Sequence, residues 1–146
     1  MIMFERVMRK YIFTAGIGAL LLFSQCQKEA GDGGLATIKG VINREYRTVL
    51  SNPSTAMEEQ LPAMDQEVYI VYGDNISPDD KVVTNYEGAF SFTGLRKGDY
   101  TIYTYSQDTA ATATAVLSNM AIVAKVKITE RDQVKEIDPL VVYEKK

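Results

Sequence analysis

Histidine is absent from this 146-residue sequence, and cysteine occurs once, as Cys26. Without histidine, the chain lacks the commonest general base, the commonest metal ligand and the usual partner of a nucleophilic serine or cysteine. A single cysteine forms no internal disulfide, and thiolate metal sites need several. No nucleophile is paired with a base and an orienting group. We therefore expect no enzymatic activity and no cofactor; a pair of carboxylates from separate loops is the remaining catalytic alternative.

An excess of basic residues is also lacking. The chain has 16 Lys and Arg against 19 Asp and Glu, for a formal net charge of -3. Residues 1–25 carry three cations and one carboxylate, so the charge of the remaining chain is -5. Nucleic-acid binding requires a basic face, so we expect no nucleic-acid partner. The proportions of 46% hydrophobic and 24% charged residues are typical of one globular domain.

The first 25 residues have the arrangement of charged and apolar residues that is typical of a signal peptide. Three cations, Arg6, Arg9 and Lys10, precede an apolar run over residues 11–23. This run is shorter than the ~20 residues that a permanent transmembrane helix needs. The sequence therefore predicts a signal peptide over residues 1–25.

The apolar run ends in Leu22-Phe23-Ser24-Gln25-Cys26, which resembles the processing site of bacterial lipoproteins. In that family a diacylglyceryl thioether forms on the cysteine, and the peptide is cut just before it. The resemblance implies that Cys26 is the lipidation site and that a membrane is one partner of the chain. The alternative is a secreted chain with a free thiol, which would be reactive.

Residues 26–34 are polar and rich in glycine, which predicts a flexible tether after the lipidated cysteine. Lys28 and Glu29 resemble the short acidic signals that direct some lipoproteins to the outside of the outer membrane. We therefore expect a lipid anchor in the outer membrane of a Gram-negative cell, with the cell surface favoured over the periplasmic face.

From residue 35 onward the sequence has strand patterns and no helical heptad. Residues 47–65 predict a long loop with a helical turn over 55–61, and Ala110–Ala115 predicts an exposed connection. Pro139 lacks an N–H group and predicts an edge or bulge in the last strand. About seven short strands indicate one all-β domain over residues 35–146, an antiparallel β-sandwich. The predicted strands are 36–42, 67–72, 82–86, 89–93, 99–105, 122–129 and 134–143.

Residues 85–102 carry a spaced pattern of glycine, aromatic and aliphatic residues: Gly88, Phe90, Phe92, Leu95, Gly98, Tyr100 and Ile102. This pattern resembles the centre of carboxypeptidase regulatory-like domains, and residues 38–42 resemble their first strand. The resemblance covers most of residues 35–143 and implies an immunoglobulin-like, transthyretin-like sandwich. The two glycines are suited to turns with positive φ, and the apolar members are expected in the core.

Alternation in the strand over 99–105 divides its side chains between two faces. If Tyr100 and Ile102 face the core, Tyr103 and Tyr105 face outward, and Tyr69 in the strand 67–72 is expected to join them. Exposed tyrosines offer large apolar area at small entropic cost, so these three form a candidate platform for sugar rings or a protein partner. The alternative is that they cover the sheet or pack under the long loop.

Two weaker candidate sites remain. One loop contains hard oxygen donors that could bind calcium, although their spacing differs from the EF-hand and also fits a solvated acidic turn; they are Asp74, Asn75, Asp79 and Asp80. Lys39 occupies a first-strand position like that of the lysine in domains that form a Lys-Asn isopeptide bond. The last strand provides Asp138 but no asparagine, so the crosslink is not favoured.

These observations predict a non-enzymatic cell-envelope lipoprotein whose β-sandwich is a binding, adhesion or assembly module. The alternative is a carbohydrate-binding accessory protein of a surface glycan-uptake system. Exposed, coplanar tyrosines would favour the carbohydrate alternative. An unpaired edge strand would favour assembly with another chain.

Replacing the candidate lipidation site tests the anchor. We expect Cys26→Ser to move the protein from the membrane fraction to the soluble fraction, because the thioether can no longer form. Fractionation with immunodetection measures the change. Membrane association that persists in the variant would contradict the lipidation hypothesis.

Overall fold

The computed structural model describes residues 29–47, 60–107 and 119–145, which form nine β-strands and no helix. None of these residues belongs to a helix that is long and apolar enough to cross a membrane. The strands are β1 (Asp32–Arg47), β2 (Gln60–Pro62), β3 (Glu67–Tyr72), β4 (Asp80–Val83), β5 (Ala89–Leu95), β6 (Gly98–Gln107), β7 (Asn119–Ile128), β8 (Val134–Glu136) and β9 (Leu140–Lys145).

The first sheet is built around β1. On one side, β1 pairs antiparallel with β5 along its first half and with β2 along its second half. On its other side, β1 pairs in parallel with β8 and then with β9. The second sheet has the order β4-β3-β6-β7 and is antiparallel throughout. The two sheets face each other, which confirms the predicted all-β sandwich.

Several predicted boundaries were wrong. The first strand is longer than predicted, and β4 ends at Val83 because Asn85 and Tyr86 belong to the turn before β5. The last predicted strand is two strands, interrupted at residues 137–139, where Pro139 has no N–H to donate. Both pieces are parallel to β1, so the first sheet is mixed and not purely antiparallel.

The core follows the predicted alternation. The outward-facing residues of β6 lie between fully or almost fully buried ones, of which Tyr100 is 2% exposed and Ile102 0%. The described core residues from both sheets include Ile38, Ile42, Val68, Ile70, Phe90, Phe92, Leu95, Tyr100, Ile102, Val126, Ile128 and Val142. All five apolar residues of the pattern in residues 85–102 are therefore buried, as predicted.

The turn before β5 requires glycine at position 88. Gly88 has a φ of 71°, and a Cβ atom there would lie 2.3 Å from the carbonyl oxygen of Ile42. The side chain of Asn85 supports the same turn by accepting hydrogen bonds from the backbone N–H groups of Glu87 and Ala89, both at 2.9 Å. This turn leads into β5, which pairs with β1.

The predicted tether is shorter than expected, because its last residues belong to the sandwich. Gly31 is buried, β1 begins at Asp32, and a Cβ atom on Gly34 would lie 1.8 Å from the carbonyl oxygen of Leu95. Glycine here permits close backbone packing between β1 and the end of β5. Residues 1–28, including the predicted signal peptide and Cys26, lie outside the described residues.

The hydroxyl of Tyr100 joins this segment to the rest of the domain. Tyr100 Oη accepts a hydrogen bond from the N–H of Gly31 at 3.0 Å and donates one to the carbonyl oxygen of Arg96 at 2.7 Å. The N–H of Arg96 in turn donates to the carbonyl oxygen of Gly31 at 2.8 Å. We call this end of the sandwich, where β1 and β6 begin and these hydrogen bonds anchor Gly31 to Tyr100 and Arg96, the anchored pole.

The long loop predicted over 47–65 falls largely outside the described residues, which resume at residue 60. Gln60 and Leu61 belong to β2, so the predicted helical turn is wrong at these two positions. Ala63 is fully buried, and its N–H donates to Ile42 at 2.9 Å. The exposed connection predicted at Ala110–Ala115 lies outside the described residues.

Removing the Tyr100 hydroxyl should destabilise the domain. We expect Tyr100→Phe to lower the free energy of unfolding by about 1–3 kcal/mol, because Gly31 and Arg96 each lose a hydrogen-bond partner in a buried place. Tyr86→Phe is the matched control, since Tyr86 is 73% exposed in the turn before β5. Urea unfolding compares the two variants, and equal stability of both would contradict the role of the Tyr100 hydroxyl.

Candidate binding surface

Three tyrosines meet on the outer face of the second sheet. Tyr69 on β3 is the direct cross-strand partner of Tyr103 on β6, and Tyr105 lies two residues further along β6. Their outward direction follows from the complete burial of Ile102 and Thr104, which point to the other face. The structure therefore brings together the three tyrosines that the sequence singled out.

The rings contact one another in two ways. Tyr69 and Tyr103 are stacked, with ring centroids 5.0 Å apart and an angle of 13° between their planes. Tyr105 is nearly perpendicular to both, at centroid distances of 5.8 Å from Tyr69 and 5.6 Å from Tyr103. Such stacked and edge-to-face pairs each stabilise their arrangement by ~0.5–1.5 kcal/mol beyond simple burial. The three rings are thus held in place before any ligand arrives.

The stacked pair does not form a flat platform. The separation of its rings is close to the ~4.8 Å spacing of neighbouring strands, so the two rings face each other across the strand gap. Each ring therefore covers one face of the other, and both residues are half-buried. Tyr105 is 46% exposed and is the most accessible ring of the three. The coplanar arrangement that would favour stacking of sugar rings is therefore absent from this trio.

An ion pair borders the tyrosines on the β4 side. The hydroxyl of Tyr69 donates to Oε2 of Glu67 at 2.5 Å, and Nζ of Lys81 lies 2.6 Å from Oε1 of the same carboxylate. The hydrogen bond to Glu67 is the main cause that raises the pKa of Tyr69 to about 12, and desolvation adds to it. The hydrogen bond from Lys81 lowers the pKa of Glu67 below its usual value.

An apolar residue borders the tyrosines on the β7 side. Val123 is the cross-strand partner of Tyr103 and is 53% exposed. One row across the sheet therefore reads Lys81, Tyr69, Tyr103 and Val123, from charged through aromatic to aliphatic. We call this row, together with Glu67 and Tyr105, the tyrosine face.

A polar network under β6 keeps the strand in register. Nε2 of Gln66 donates to Oγ1 of Thr104 at 2.9 Å and to the carbonyl oxygen of Tyr105 at 3.1 Å. Oγ1 of Thr104 donates to the carbonyl oxygen of Glu67 at 2.7 Å. Because Thr104 is fully buried, these bonds satisfy a polar group inside the sandwich and position the backbone that carries Tyr103 and Tyr105.

Sequence reasoning missed Glu67, Lys81 and Val123. Alternation in β3 places Glu67 on the same face as Tyr69, so the sequence pattern could have predicted that the two are neighbours. The positions of Lys81 and Val123 depend on strand order and register, which one sequence does not reveal.

The calcium candidates are engaged in local hydrogen bonds. The two carboxylate oxygens of Asp79 accept from the N–H of Tyr72 at 2.7 Å and from Nδ2 of Asn75 at 2.8 Å. Asp80 accepts from the N–H of Lys81 at 2.7 Å. Across the described ranges, no group of three or more acidic side chains is arranged to hold a metal ion. The geometry thus favours a solvated acidic turn that includes Asp74.

The isopeptide candidate is also not supported by geometry. The side chain of Lys39 is 48% exposed and pairs with Oε2 of Glu136 at 3.1 Å on the solvent side of β1 and β8. Asp138 is exposed in the break between β8 and β9. A crosslink of this kind needs a buried lysine beside its acceptor, which this arrangement does not provide.

No protein-family model and no curated protein matches the chain. Among solved structures, the chain is similar to a crystal structure from Pseudomonas aeruginosa that is provisionally described as a carbohydrate-binding protein. The two chains are 10% identical with a TM-score of 0.46, and the match covers 79% of this chain and 92% of the other. Values this low do not extend the binding properties of that protein to this chain.

Removing the Glu67 carboxylate should release the Tyr69 hydroxyl. We expect Glu67→Gln to lower the pKa of Tyr69 from about 12 toward its ordinary value of 10, because the charged acceptor is lost. The titration of ¹³C-labelled tyrosine rings measures this change. Glu87→Gln, in the exposed turn before β5, is the matched control and should leave the pKa at about 12.

The same hydrogen bond should make stability depend on alkaline pH. The folded-state pKa of Tyr69 lies above its pKa in the unfolded chain. The contribution of the Tyr69–Glu67 hydrogen bond to the free energy of unfolding is therefore fully present below pH 10 and is lost as pH rises through about 12. Equal pKa values for Tyr69 in the parent protein and in Glu67→Gln would contradict the assignment of the raised pKa to the hydrogen bond with Glu67.

Proposed function

We propose that this protein is a non-catalytic binding module of the cell envelope, which a lipid on Cys26 holds at the outer membrane. The tyrosine face is its binding surface, and a protein is the ligand. The observation that carries this proposal is the mutual contact of Tyr69, Tyr103 and Tyr105 on a face that the core does not use.

The tyrosine face has the composition of an interaction surface. Tyrosine is enriched among the residues that dominate protein–protein binding energies, and these residues cluster in the centre of an interface. Here the rings lie between the Glu67–Lys81 ion pair and Val123. Because ring contacts already fix the side chains, binding would cost little additional side-chain entropy.

The orientation of the rings favours a protein ligand over a sugar. A sugar ring stacks on an exposed aromatic face, whereas Tyr69 and Tyr103 stack their faces on each other. A protein partner can pack against ring edges and also hydrogen-bond to hydroxyl groups. Carbohydrate binding is the second candidate, and the 46% exposed ring of Tyr105 is the observation that favours it.

The position of the tyrosine face suits a molecule held at a membrane. The anchored pole, where β6 begins at Gly98, is the end of the sandwich closest in sequence to Cys26. Tyr103 and Tyr105 lie five and seven residues further along β6, which corresponds to about 17 and 24 Å at ~3.4 Å per residue. A partner could therefore reach the tyrosine face without displacing the anchor. Exposure at the cell surface, favoured by Lys28 and Glu29, is part of the proposal.

Affinity capture tests the binding surface. The intact lipoprotein, solubilised from membranes, is used to isolate and identify a partner, whose affinity is then measured against purified variants. We expect the double variant Tyr103→Ala, Tyr105→Ala to weaken binding at least about tenfold, because it removes the centre of the surface. Tyr86→Ala is the matched control, since it removes an exposed tyrosine elsewhere.

Parallel glycan-array measurements separate the two candidates. Glycan binding that is lost in Tyr105→Ala and kept in Tyr86→Ala would support the carbohydrate-binding function. Partner affinity unchanged by the double variant, together with no dependence of glycan binding on Tyr105, would contradict both.

A further inference from the structure

A cleft of about 1070 Å³ opens at the anchored pole, far along β6 from the tyrosine face. Its walls come from the segment that precedes and begins β1, from the turn after β3, from the residues around Gly98, and from the end of β7 with the turn after it. Four cationic side chains line it, although the chain as a whole is acidic: Arg96, Lys97, Lys127 and Arg131.

Three of the four cations have no carboxylate partner among the described residues. Lys127 pairs with Asp99 at 3.2 Å. Within the part of the chain that the structure describes, no ion pair involves Arg96, Lys97 or Arg131. Glu29, Asp74 and Asp99 also line the cleft, so its four cations and three carboxylates leave a formal charge of only +1. An anion in this cleft would therefore be held by directed N–H donors more than by overall charge.

Arg96 provides the strongest indication of a ligand. Its Nε atom is buried and has no hydrogen-bond partner among the described residues. Buried donors without an acceptor are rare in folded proteins, and each requires an explanation. The N–H and C=O groups of Arg96 are already bonded to Gly31 and to Tyr100, so the backbone holds the residue firmly while its guanidinium keeps free donors.

The neighbouring glycines keep space for the guanidinium. A Cβ atom on Gly33 would lie 3.0 Å from Nη2 and 3.6 Å from Nε of Arg96. Gly33 also has a φ of 88°, which disfavours any side chain. The glycine-rich segment therefore does more than extend the anchor, because it lets an arginine lie across the backbone at the mouth of the cleft.

We propose that this cleft is a binding site for a phosphate group, in which the guanidinium of Arg96 is the principal donor. Arginine binds phosphate through two parallel, charge-assisted N–H···O bonds. Because protein atoms cover Nε, a small rotation of the guanidinium would bring this unpaired donor to the phosphate. Lys97 and Arg131 provide further positive charge at the cleft.

The phosphate belongs to a phospholipid headgroup of the membrane that carries the anchor. This step rests on the proposed lipidation of Cys26. Glu29 lies three residues after Cys26, and three residues span at most about 11 Å when fully extended. Because Glu29 lines the cleft, the cleft lies within headgroup reach of the bilayer surface. The site would then fix the orientation of the sandwich on the membrane and direct the tyrosine face away from it.

Titration with inorganic phosphate tests the site. The lipoprotein is solubilised in a detergent that contains no phosphate, and NMR follows the Arg96 side chain and residues 31–34. We expect saturable shifts that weaken about tenfold or more in Arg96→Gln and are unchanged in Lys135→Gln, which removes an exposed lysine of β8 outside the cleft.

A second variant keeps the test decisive if Arg96→Gln unfolds. Arg131→Gln changes an exposed side chain in the turn before β8 and should also weaken phosphate binding. Absence of saturable binding in the parent protein, or equal affinity in the parent and in folded cleft variants, would overturn the site.

Phosphatidylglycerol nanodiscs identify the source of the phosphate. If headgroups occupy the cleft, free phosphate should no longer shift the cleft resonances in nanodiscs; unchanged affinity there would overturn the headgroup assignment and leave a soluble anion as the ligand. Intact-mass measurement of the purified protein shows independently whether it carries a lipid. A protein without lipid would contradict the proposed anchor, while the detergent titration would still decide whether the cleft binds phosphate.

Discussion

Burial of one face of β6 is the constraint on which the rest of the structure depends. Side chains in a strand alternate between two faces, so placing Tyr100, Ile102 and Thr104 in the core necessarily turns Tyr103 and Tyr105 outward. The same strand starts at the anchored pole, where Tyr100 bonds to Gly31, and continues to the tyrosine face. One strand thus connects the segment that follows Cys26 with the candidate binding surface, and the core between the sheets holds both in a fixed relation.

Local patterns predicted the parts of this structure that depend on neighbouring residues in the chain. The pattern from Gly88 to Ile102 predicted a turn, two strands and their core positions, because steric limits at glycine and period-two burial act over a few residues. The three tyrosines were found for the same reason. Sequence alone did not predict the parallel pairing of β8 and β9 with β1, since strand order depends on contacts between distant segments. The positions of Lys81 and Val123 beside the tyrosines depend in the same way on the strand order of the second sheet.

The glycine-rich stretch just before and at the start of β1 shows how composition can indicate the wrong role. Gly31, Gly33 and Gly34 predicted a flexible tether, yet the structure uses them for close packing against Leu95, Arg96 and Tyr72. Glycine serves flexibility and tight packing equally well, and only the surroundings distinguish these uses. The proposed anchor is therefore short, and the pole of the sandwich would remain near the membrane surface.

We propose that a partner in the cell envelope covers the tyrosine face. Nitration of tyrosine followed by mass spectrometry measures this directly, because the reaction requires an accessible ring. We expect Tyr105 to react in the purified lipoprotein and to be protected on intact cells. Tyr86, which is 73% exposed in a turn, should react equally in both. Equal reactivity of Tyr105 in the purified protein and on cells would contradict the claim.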